Sequence, residues 1–234
     1  MKKICDMASV RWMPREEITF LASNLLENYE AYTGQEVTPP IPIEAIIERF
    51  LNLRLEYDDL KSRFALADIL GATWIKEKRI VIDRSLLDED ELGRMFFTMA
   101  HEVGHWCIHR QAFMGPAARR SSRREIVCRE SGARARGEWQ ADYFDAALLM
   151  PEMPVREVFA DVFGFKPIVI HNQRSIVPKS LFWLDLAWEH AGEIARAVID
   201  KGRFTNVSKA AMRIRLEELG LLVNRTCERL AAAS

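Results

Sequence analysis

Apolar side chains recur at helical spacing near the start of the chain. The first run has four apolar residues three or four positions apart: Ile18, Leu21, Leu25 and Tyr29. Pro14 precedes this run and Gly34 follows it, so residues 15–33 are predicted to form a helix. A loop rich in proline comes next, and a short helix is predicted over residues 43–51.

The following segments have the pattern of short strands. Residues 53–57 alternate between apolar and polar side chains, which predicts a strand. Residues 64–82 are predicted to contain two or three more strands, with Gly71 as a turn or a bulge, and residues 80–83 form the strand before the next helix. A small sheet followed by helices predicts an α+β fold.

Two further helices are predicted in the middle of the chain. Residues 88–100 open with acidic side chains, which suit a helix N-terminus. They then place four residues on one apolar stripe: Leu92, Met95, Phe96 and Met99. Residues 138–150 form the other helix, which Pro151 ends. Four of its residues can face a core: Tyr143, Ala146, Ala147 and Met150.

The first of these helices leads into a His-Glu-x-x-His motif. His101 and His105 are four residues apart and share one helix face, so both imidazoles can bind one divalent metal. Glu102 can reach a water on that metal and act as the general base. Zinc is the expected metal, although manganese or iron also fits this type of ligand. A purely structural role is disfavoured, because burying these groups without partners costs free energy.

The metal needs a third protein ligand, and Glu138 is the favoured residue. Asp142 lies one helical turn later, and it would accept the outer N–H of a ligand histidine and fix the tautomer of that ring. His109 is the competing ligand. A straight helix would place it about 12 Å from His101, given a rise of about 1.5 Å per residue, so it is expected to end the helix or line the cleft.

Smaller features complete the predicted site. Gly104 and Ala141 would let the two helices approach closely. A donor for the oxyanion of the reaction is not assigned, and His171 and Tyr143 are the two candidates.

The two motifs together resemble those of the ImmA/IrrE metallo-endopeptidases. Residues 97–105 match the Phe-Thr-x-Ala-His-Glu-x-Gly-His core of that family, and residues 138–151 match its Glu-x-x-Ala-Asn helix ending in Leu-Leu-Met-Pro. Asp142 stands where the family usually has Asn, and it accepts the same hydrogen bond from a histidine. The resemblance extends over residues 15–225.

The resemblance implies a zincin-like catalytic domain that cuts a repressor of the helix-turn-helix type and thereby derepresses genes. The expected partner is therefore a protein substrate. The alternative is a transcription regulator or a toxin–antitoxin component that keeps the metal fold as a binding scaffold. Glu102 discriminates between them, because a pure binding protein has no use for a residue that binds no metal.

The chain is predicted to divide into a metallopeptidase domain, residues 1–165, and a helical C-terminal region, residues 166–234. In the latter, a helix is predicted from residue 181 towards residue 200, followed by a turn and a helix that Ser208 caps. Arg213 and Arg215 on that last helix make the pair resemble a helix-turn-helix. A packed helical hairpin is the alternative, because three residues fit core positions: Met212, Leu216 and Leu219.

Charge is unevenly distributed along the chain. The net charge of the whole protein is −1, so direct DNA binding is not favoured. Residues 110–137 contain eight arginines and two glutamates, a local net charge of +6. Loop signals at residues 115–116 and 131–132 divide this Arg-rich segment. It is interpreted as a solvated loop, as a surface for an acidic partner beside the cleft, or as a contact to DNA.

Composition indicates a globular protein. Of the 234 residues, 49% are hydrophobic and 29% are charged. We expect no signal peptide and no membrane span, because no apolar run has the required length. The four cysteines form no Cys-x-x-Cys pair and are interpreted as reduced thiols of a cytoplasmic protein.

Overall fold

The computed structural model describes residues 10–88, 91–111, 125–129, 136–170 and 186–225, the segments 125–129 and 186–190 by their backbone alone. Contacts divide the chain into two compact units, Met1–Pro151 and Glu152–Ser234. This boundary lies before the domain boundary predicted at residue 165. The division into a catalytic domain and a C-terminal region stays a prediction.

The first helix of the first unit, α1, spans Arg15–Thr33, as predicted. It ends at Gly34, whose positive φ of 68° suits a residue without a side chain, and the Gly34 N–H donates to the Glu30 carbonyl. Helix α1 packs on the later helix α5 (Arg136–Leu149), and its buried face contains five residues: Ile18, Ala22, Leu25, Leu26 and Tyr29. Leu21 lies at the edge of this face and is half-buried.

Two short helices flank the first strand. Helix α2 begins as Ile43–Ala45 and continues as a π-helical turn, Ile46–Phe50, where the Leu51 N–H donates to the Ile46 carbonyl at 2.9 Å. Helix α3 spans Leu60–Phe64 and is capped by the Asp59 carboxylate, which accepts from the Ser62 N–H.

The sheet of the first unit is mixed, and its strand order is β1-β3-β2-β4. The four strands are β1 (Arg54–Asp58), β2 (Ile69–Trp74), β3 (Arg79–Asp83) and β4 (Glu125–Arg129). Strand β3 pairs parallel with β1 and antiparallel with β2, and β4 pairs antiparallel with β2. The register of β2 against β4 shifts between Ile69 and Gly71, so Gly71 lies at a bulge, one of its two predicted roles.

Strand β4 corrects the interpretation of the Arg-rich segment as loop pieces. Residues 125–129 extend the sheet beyond β2, so at least this part of the segment is regular structure. Residues 112–124 and 130–135 lie outside the described residues, and the proposed roles of their arginines stay predictions.

Helix α4 spans Leu92–Gly104 and continues as a π-helical turn, His105–His109. It begins later than the predicted residue 88, and Leu92 is 41% exposed, so Leu92 does not belong to the buried stripe. Of the four predicted core residues in and directly after α5, Ala147 and Met150 are buried, whereas Tyr143 and Ala146 are only half-buried. Phe144 and Leu148, which were not predicted, are also buried. The predicted core face is therefore confirmed in part.

The second unit consists of three helices and a two-stranded parallel sheet. Its elements are α6 (Glu152–Phe163), β5 (Ile168–Ile170), α7 (Leu186–Gly202), α8 (Lys209–Glu218) and β6 (Leu222–Asn224). Helix α7 packs against α6 and α8, and Ser208 caps α8 as predicted. Arg215 is only 1% exposed, so it does not lie on the surface that a DNA-reading helix would need.

The fold is therefore α+β and mostly helical, with eight α-helices and a small mixed sheet in the part of the chain that the structure describes. The finer assignment to a zincin-like fold stays a prediction. None of the described helices is both long enough and apolar enough to cross a membrane.

Candidate metal centre

Three predicted ligands meet between helices α4 and α5. The Nε2 atoms of His101 and His105 lie 3.2 and 3.6 Å from Oε2 of Glu138. All three side chains are buried, and their ligand atoms lie within 4.8 Å of one another. His101, His105 and Glu138 can therefore hold a metal ion.

The close approach of the two helices depends on small residues. A Cβ atom added to Gly104 would lie 3.2 Å from the Phe144 ring and 3.3 Å from the Cα of Ala141. The backbone of α5 thus passes directly over Gly104, as predicted, and Glu138 lies one turn before Ala141 on the same helix. This packing brings the Glu138 carboxylate to the two histidines.

The unpaired nitrogen of His105 supports the fit of a metal. His105 is fully buried, and its Nε2 has no hydrogen-bond partner among the described residues. Its other nitrogen, Nδ1, is occupied by a contact to Nδ1 of His109 at 3.0 Å. A buried nitrogen lone pair without a partner costs free energy, which a metal bond would offset. Two imidazoles and one carboxylate are also a ligand set of catalytic zinc.

The electrostatics of the ligands suit a cation. Burial would raise the pKa of Glu138, but the neighbouring imidazoles of His101 and His105 lower it to about 2. Burial lowers the pKa of His105 below its ordinary value. The carboxylate is thus ionised and His105 is neutral at pH 7, the protonation states that bind metal.

Glu102 lies beside the ligands and points to strand β2. Its Oε2 accepts a hydrogen bond of 2.5 Å from the Thr73 hydroxyl, whereas Oε1 is buried without a partner in the described chain. A Cβ added to Gly71 would lie only 2.6 Å from Oε1. Burial raises the pKa of Glu102 to about 8, against the lowering effect of His101 and of Thr73.

Thr73 and Gly71 were not predicted as parts of the site. Their only sequence signal is their spacing of two residues in the predicted strand region, which puts them on one face of β2. The approach of α4 to that face cannot be inferred from the strand alone.

The outer nitrogen of His101 faces two carboxylates. Nδ1 lies 2.9 Å from Oδ1 of Asp142, the predicted partner, and 3.7 Å from Oδ2 of Asp145. The Asp142 side chain is 50% exposed, whereas Asp145 is buried, and burial raises the pKa of Asp145 to about 7. Asp145 was missed, although its spacing of seven residues from Glu138 places both on one face of a helix.

His109 differs from its predicted role as a helix end or cleft wall. It is buried behind His105, and its Nε2 lies 2.9 Å from Oε1 of Gln140. The Gln140 amide donates to the Arg11 carbonyl at 2.8 Å. Burial and the neighbouring His105 lower the pKa of His109 to about 4.

Tyr143, one of the two candidate oxyanion donors, packs against an aromatic and a basic side chain. Tyr143 is half-buried and stacks on Trp139, with the Arg15 guanidinium 5.2 Å from its ring centre. His171 lies outside the described residues. Burial raises the pKa of the Cys107 thiol to about 12, so Cys107 is no nucleophile at neutral pH.

Sequence comparisons find no family model that matches the chain and no curated protein that is significantly similar to it. The resemblance to the ImmA/IrrE peptidases thus rests on the two motifs and stays a prediction.

Proposed function

We propose that this protein is a zinc-dependent metallo-endopeptidase. The observation that carries the proposal is a buried carboxylate oxygen, Oε1 of Glu102, which has no partner in the described chain. Glu102 follows the ligand His101 directly in the chain, and its carboxyl group interacts electrostatically with His101 and Glu138 of the buried ligand group. A carboxylate of raised pKa beside a metal position is suited to take up and release a proton near neutral pH.

In this proposal, His101, His105 and Glu138 would hold the ion. Zinc held there would supply Lewis-acid chemistry: it would polarise the scissile carbonyl and lower the pKa of water to about 7. Glu102 accepts the proton of the attacking water at Oε1 and donates it to the leaving amine. The Thr73 hydroxyl donates a hydrogen bond to the other carboxylate oxygen, Oε2, so Oε1 is the oxygen that accepts and releases the proton.

The proposed substrate is a repressor of the helix-turn-helix type, whose cleavage derepresses genes. Its support is the resemblance of residues 97–105 and 138–151 to the ImmA/IrrE motifs. The second unit would then serve to recognise the substrate.

The test uses the helix-turn-helix repressor encoded beside the gene. The purified protein is incubated with this repressor in zinc and, separately, in manganese, and the intact mass of the repressor is followed. We expect one discrete cut by the wild type and none by Glu102→Gln, which keeps all three metal ligands. A Glu102→Gln protein that still cuts would contradict the mechanism.

The binding-scaffold alternative predicts a different result in the same experiment. In that case the wild type and Glu102→Gln would bind the repressor equally well, and neither would cut it in either metal. Measuring zinc content and repressor binding alongside the mass therefore separates the two functions.

A further inference from the structure

A chain of buried polar groups leads from the metal position to the backbone near the start of α1. His105 Nδ1 lies 3.0 Å from His109 Nδ1, and His109 Nε2 lies 2.9 Å from Gln140 Oε1. The Gln140 amide nitrogen lies 2.8 Å from the Arg11 carbonyl oxygen. His105, His109 and Gln140 are all buried, so these contacts are made away from solvent.

The contact between Gln140 and Arg11 determines which atom donates and which accepts at every step of this hydrogen-bonded series. A backbone carbonyl can only accept, so the Gln140 NH₂ group must face Arg11, and Oε1 must face His109. Because Oε1 can only accept, His109 must carry its proton on Nε2. The Nδ1 of a neutral His109 is then a lone pair, which requires the N–H of His105 to be on Nδ1. The lone pair of His105 is thereby left on Nε2, the nitrogen that faces Glu138.

We propose that His109 and Gln140 are positioning residues that select the metal-binding tautomer of His105. The proposal rests on the proposed metal site and adds a role that the peptidase mechanism does not require. Without the hydrogen bonds from His109 and Gln140, His105 would be free to carry its proton on Nε2, where the proton competes with the metal. The carbonyl of Arg11 is the fixed acceptor that orients every group in the chain.

The two ligand histidines are then held in different ways. His101 presents Nδ1 to carboxylates, those of Asp142 and Asp145, whereas His105 presents Nδ1 to a neutral imidazole and, through it, to a neutral amide. A carboxylate partner raises the basicity of a ligand imidazole more than a neutral partner does. The His109 chain thus fixes the orientation of His105 without adding negative charge behind the metal position.

The tautomers can be observed directly by NMR of protein labelled with ¹⁵N-histidine, since the chain has only five histidines. In the zinc-loaded protein we expect His109 to be protonated on Nε2 and unprotonated on Nδ1, and His105 to be protonated on Nδ1. A scalar coupling between the two Nδ1 atoms across the hydrogen bond is also expected. A His109 proton on Nδ1, or fast exchange between its tautomers, would overturn the proposal.

Zinc affinity tests the consequence. His109→Phe fills a similar space without an acceptor, and we expect its Kd for zinc to rise about 10- to 100-fold, the range found when outer partners of metal ligands are lost. Gln140→Met should leave His109 in both tautomers and weaken zinc binding less. Gln140→Glu keeps an acceptor for the His109 N–H, and as a buried neutral carboxylic acid it still donates to the Arg11 carbonyl, so it should retain both the tautomer and the affinity. Met99→Leu, a buried change of similar volume on the same helix, is the control for packing.

The measurements separate failure of this proposal from failure of the proposed function. Zinc-free protein should show the same His109 tautomer, because Arg11 orients the chain without a metal. If wild type binds no zinc, the peptidase proposal fails while this tautomer still tests the chain. If folded His109→Phe and Gln140→Met bind zinc as tightly as Met99→Leu does, the positioning role is wrong.

Discussion

At the scale of single residues, the two oxygens of Glu102 have opposite surroundings. One accepts a hydrogen bond from Thr73, and the other is buried without a partner in the described part of the chain. A carboxylate that is held on one side only is oriented, yet it still has a lone pair available for a proton. The proposed chemistry therefore depends on the strand residues around Glu102 as well as on the metal ligands.

Removal of the Thr73 hydroxyl should lower catalysis and leave metal binding intact. Thr73→Val keeps the shape of the side chain but removes a hydrogen bond to a charged group, worth about 1.5–3 kcal/mol. We expect kcat/KM to fall about 10- to 100-fold. The acidic limb of the pH–rate profile should move to higher pH, because Thr73 lowers the pKa of Glu102.

The matched control for this change is Thr73→Ser, which keeps the hydroxyl and should keep most of the activity. Zinc content should be the same in all three proteins. If Thr73→Ser is as inactive as Thr73→Val, the hydroxyl is not the group that matters.

Gly71 provides the space in which Oε1 of Glu102 lies. In Gly71→Ala, the new Cβ would be 2.6 Å from that oxygen and 2.8 Å from Cγ2 of Thr98, so the carboxylate must move. We expect kcat to fall at least about 10-fold, since a displaced general base loses its alignment. Metal affinity should change little, because no ligand contacts Gly71.

Gly192→Ala is the control for that substitution. Gly192 lies in α7, and an added Cβ would meet nothing within 4 Å, so full activity and unchanged or slightly higher stability are expected. Equal activity of Gly71→Ala and wild type would show that Glu102 does not act from the position seen here.

At the scale of secondary-structure elements, Asp83 at the end of β3 joins two neighbouring turns. Its carboxylate accepts from the backbone N–H groups of Leu60 and Lys61 at the start of α3, and from the N–H and hydroxyl of Ser85. Burial would raise the pKa of Asp83, but these hydrogen bonds and the Lys61 charge lower it below the ordinary value. Asp83 thereby fixes α3 against the sheet.

Asp83→Asn should destabilise the protein at neutral pH and much less in acid. The folded-state pKa is lowered, so the stabilisation is complete above the ordinary pKa of about 4 and is lost as the pH falls through the folded value. We expect a loss of about 1–3 kcal/mol in the free energy of unfolding at pH 7, measured by urea denaturation. The difference from wild type should shrink steadily as the pH is lowered below 4.

Asp58→Asn is the matched control for that prediction. Asp58 lies opposite Asp83 in the parallel pair of β1 and β3, and it is exposed and paired with Arg63. Its loss should cost less than about 1 kcal/mol. If both variants lose the same free energy of unfolding at pH 7, the buried hydrogen bonds of Asp83 stabilise the fold no more than the exposed ion pair of Asp58 does.

The elements also show where the sequence pattern was sufficient. The ends of α1 follow from Pro14 and Gly34, which are local signals, and both bounds were predicted correctly. Strand β4 was missed because its short apolar run lies among arginines and its partner, β2, lies far earlier in the chain. The buried face of α5 was predicted only in part: Ala147 and Met150 are buried, but Phe144 was missed because its burial depends on how closely α4 approaches at Gly104.

The residues of the candidate site also divide into those that the sequence spacing predicts and those that it does not. His101, His105 and Glu138 were predicted from spacing within two helices, and the structure brings them together. Thr73 and Gln140 could not be predicted, because they lie on other elements and their roles depend on tertiary contacts to Glu102 and His109. Spacing can identify ligands, whereas the groups that orient them become visible only when the elements are packed.

At the scale of the whole molecule, all residues of the candidate centre lie in the first unit, Met1–Pro151. The described residues of the second unit contain no group of histidine, cysteine and acidic side chains that could hold a metal. Metal binding should therefore stabilise the first unit directly, because the unfolded chain does not hold the three ligands together.

Removal of the metal should lower the stability of the wild type measurably. At a free zinc concentration 1,000 times the Kd, binding contributes about 4 kcal/mol. A chelator should therefore lower the thermal midpoint by about 10 °C for a protein of this size. Glu102→Gln keeps the ligands and should show the same decrease. Glu138→Gln loses a ligand, so its midpoint should respond little to the chelator; an equal decrease would place the zinc at another site.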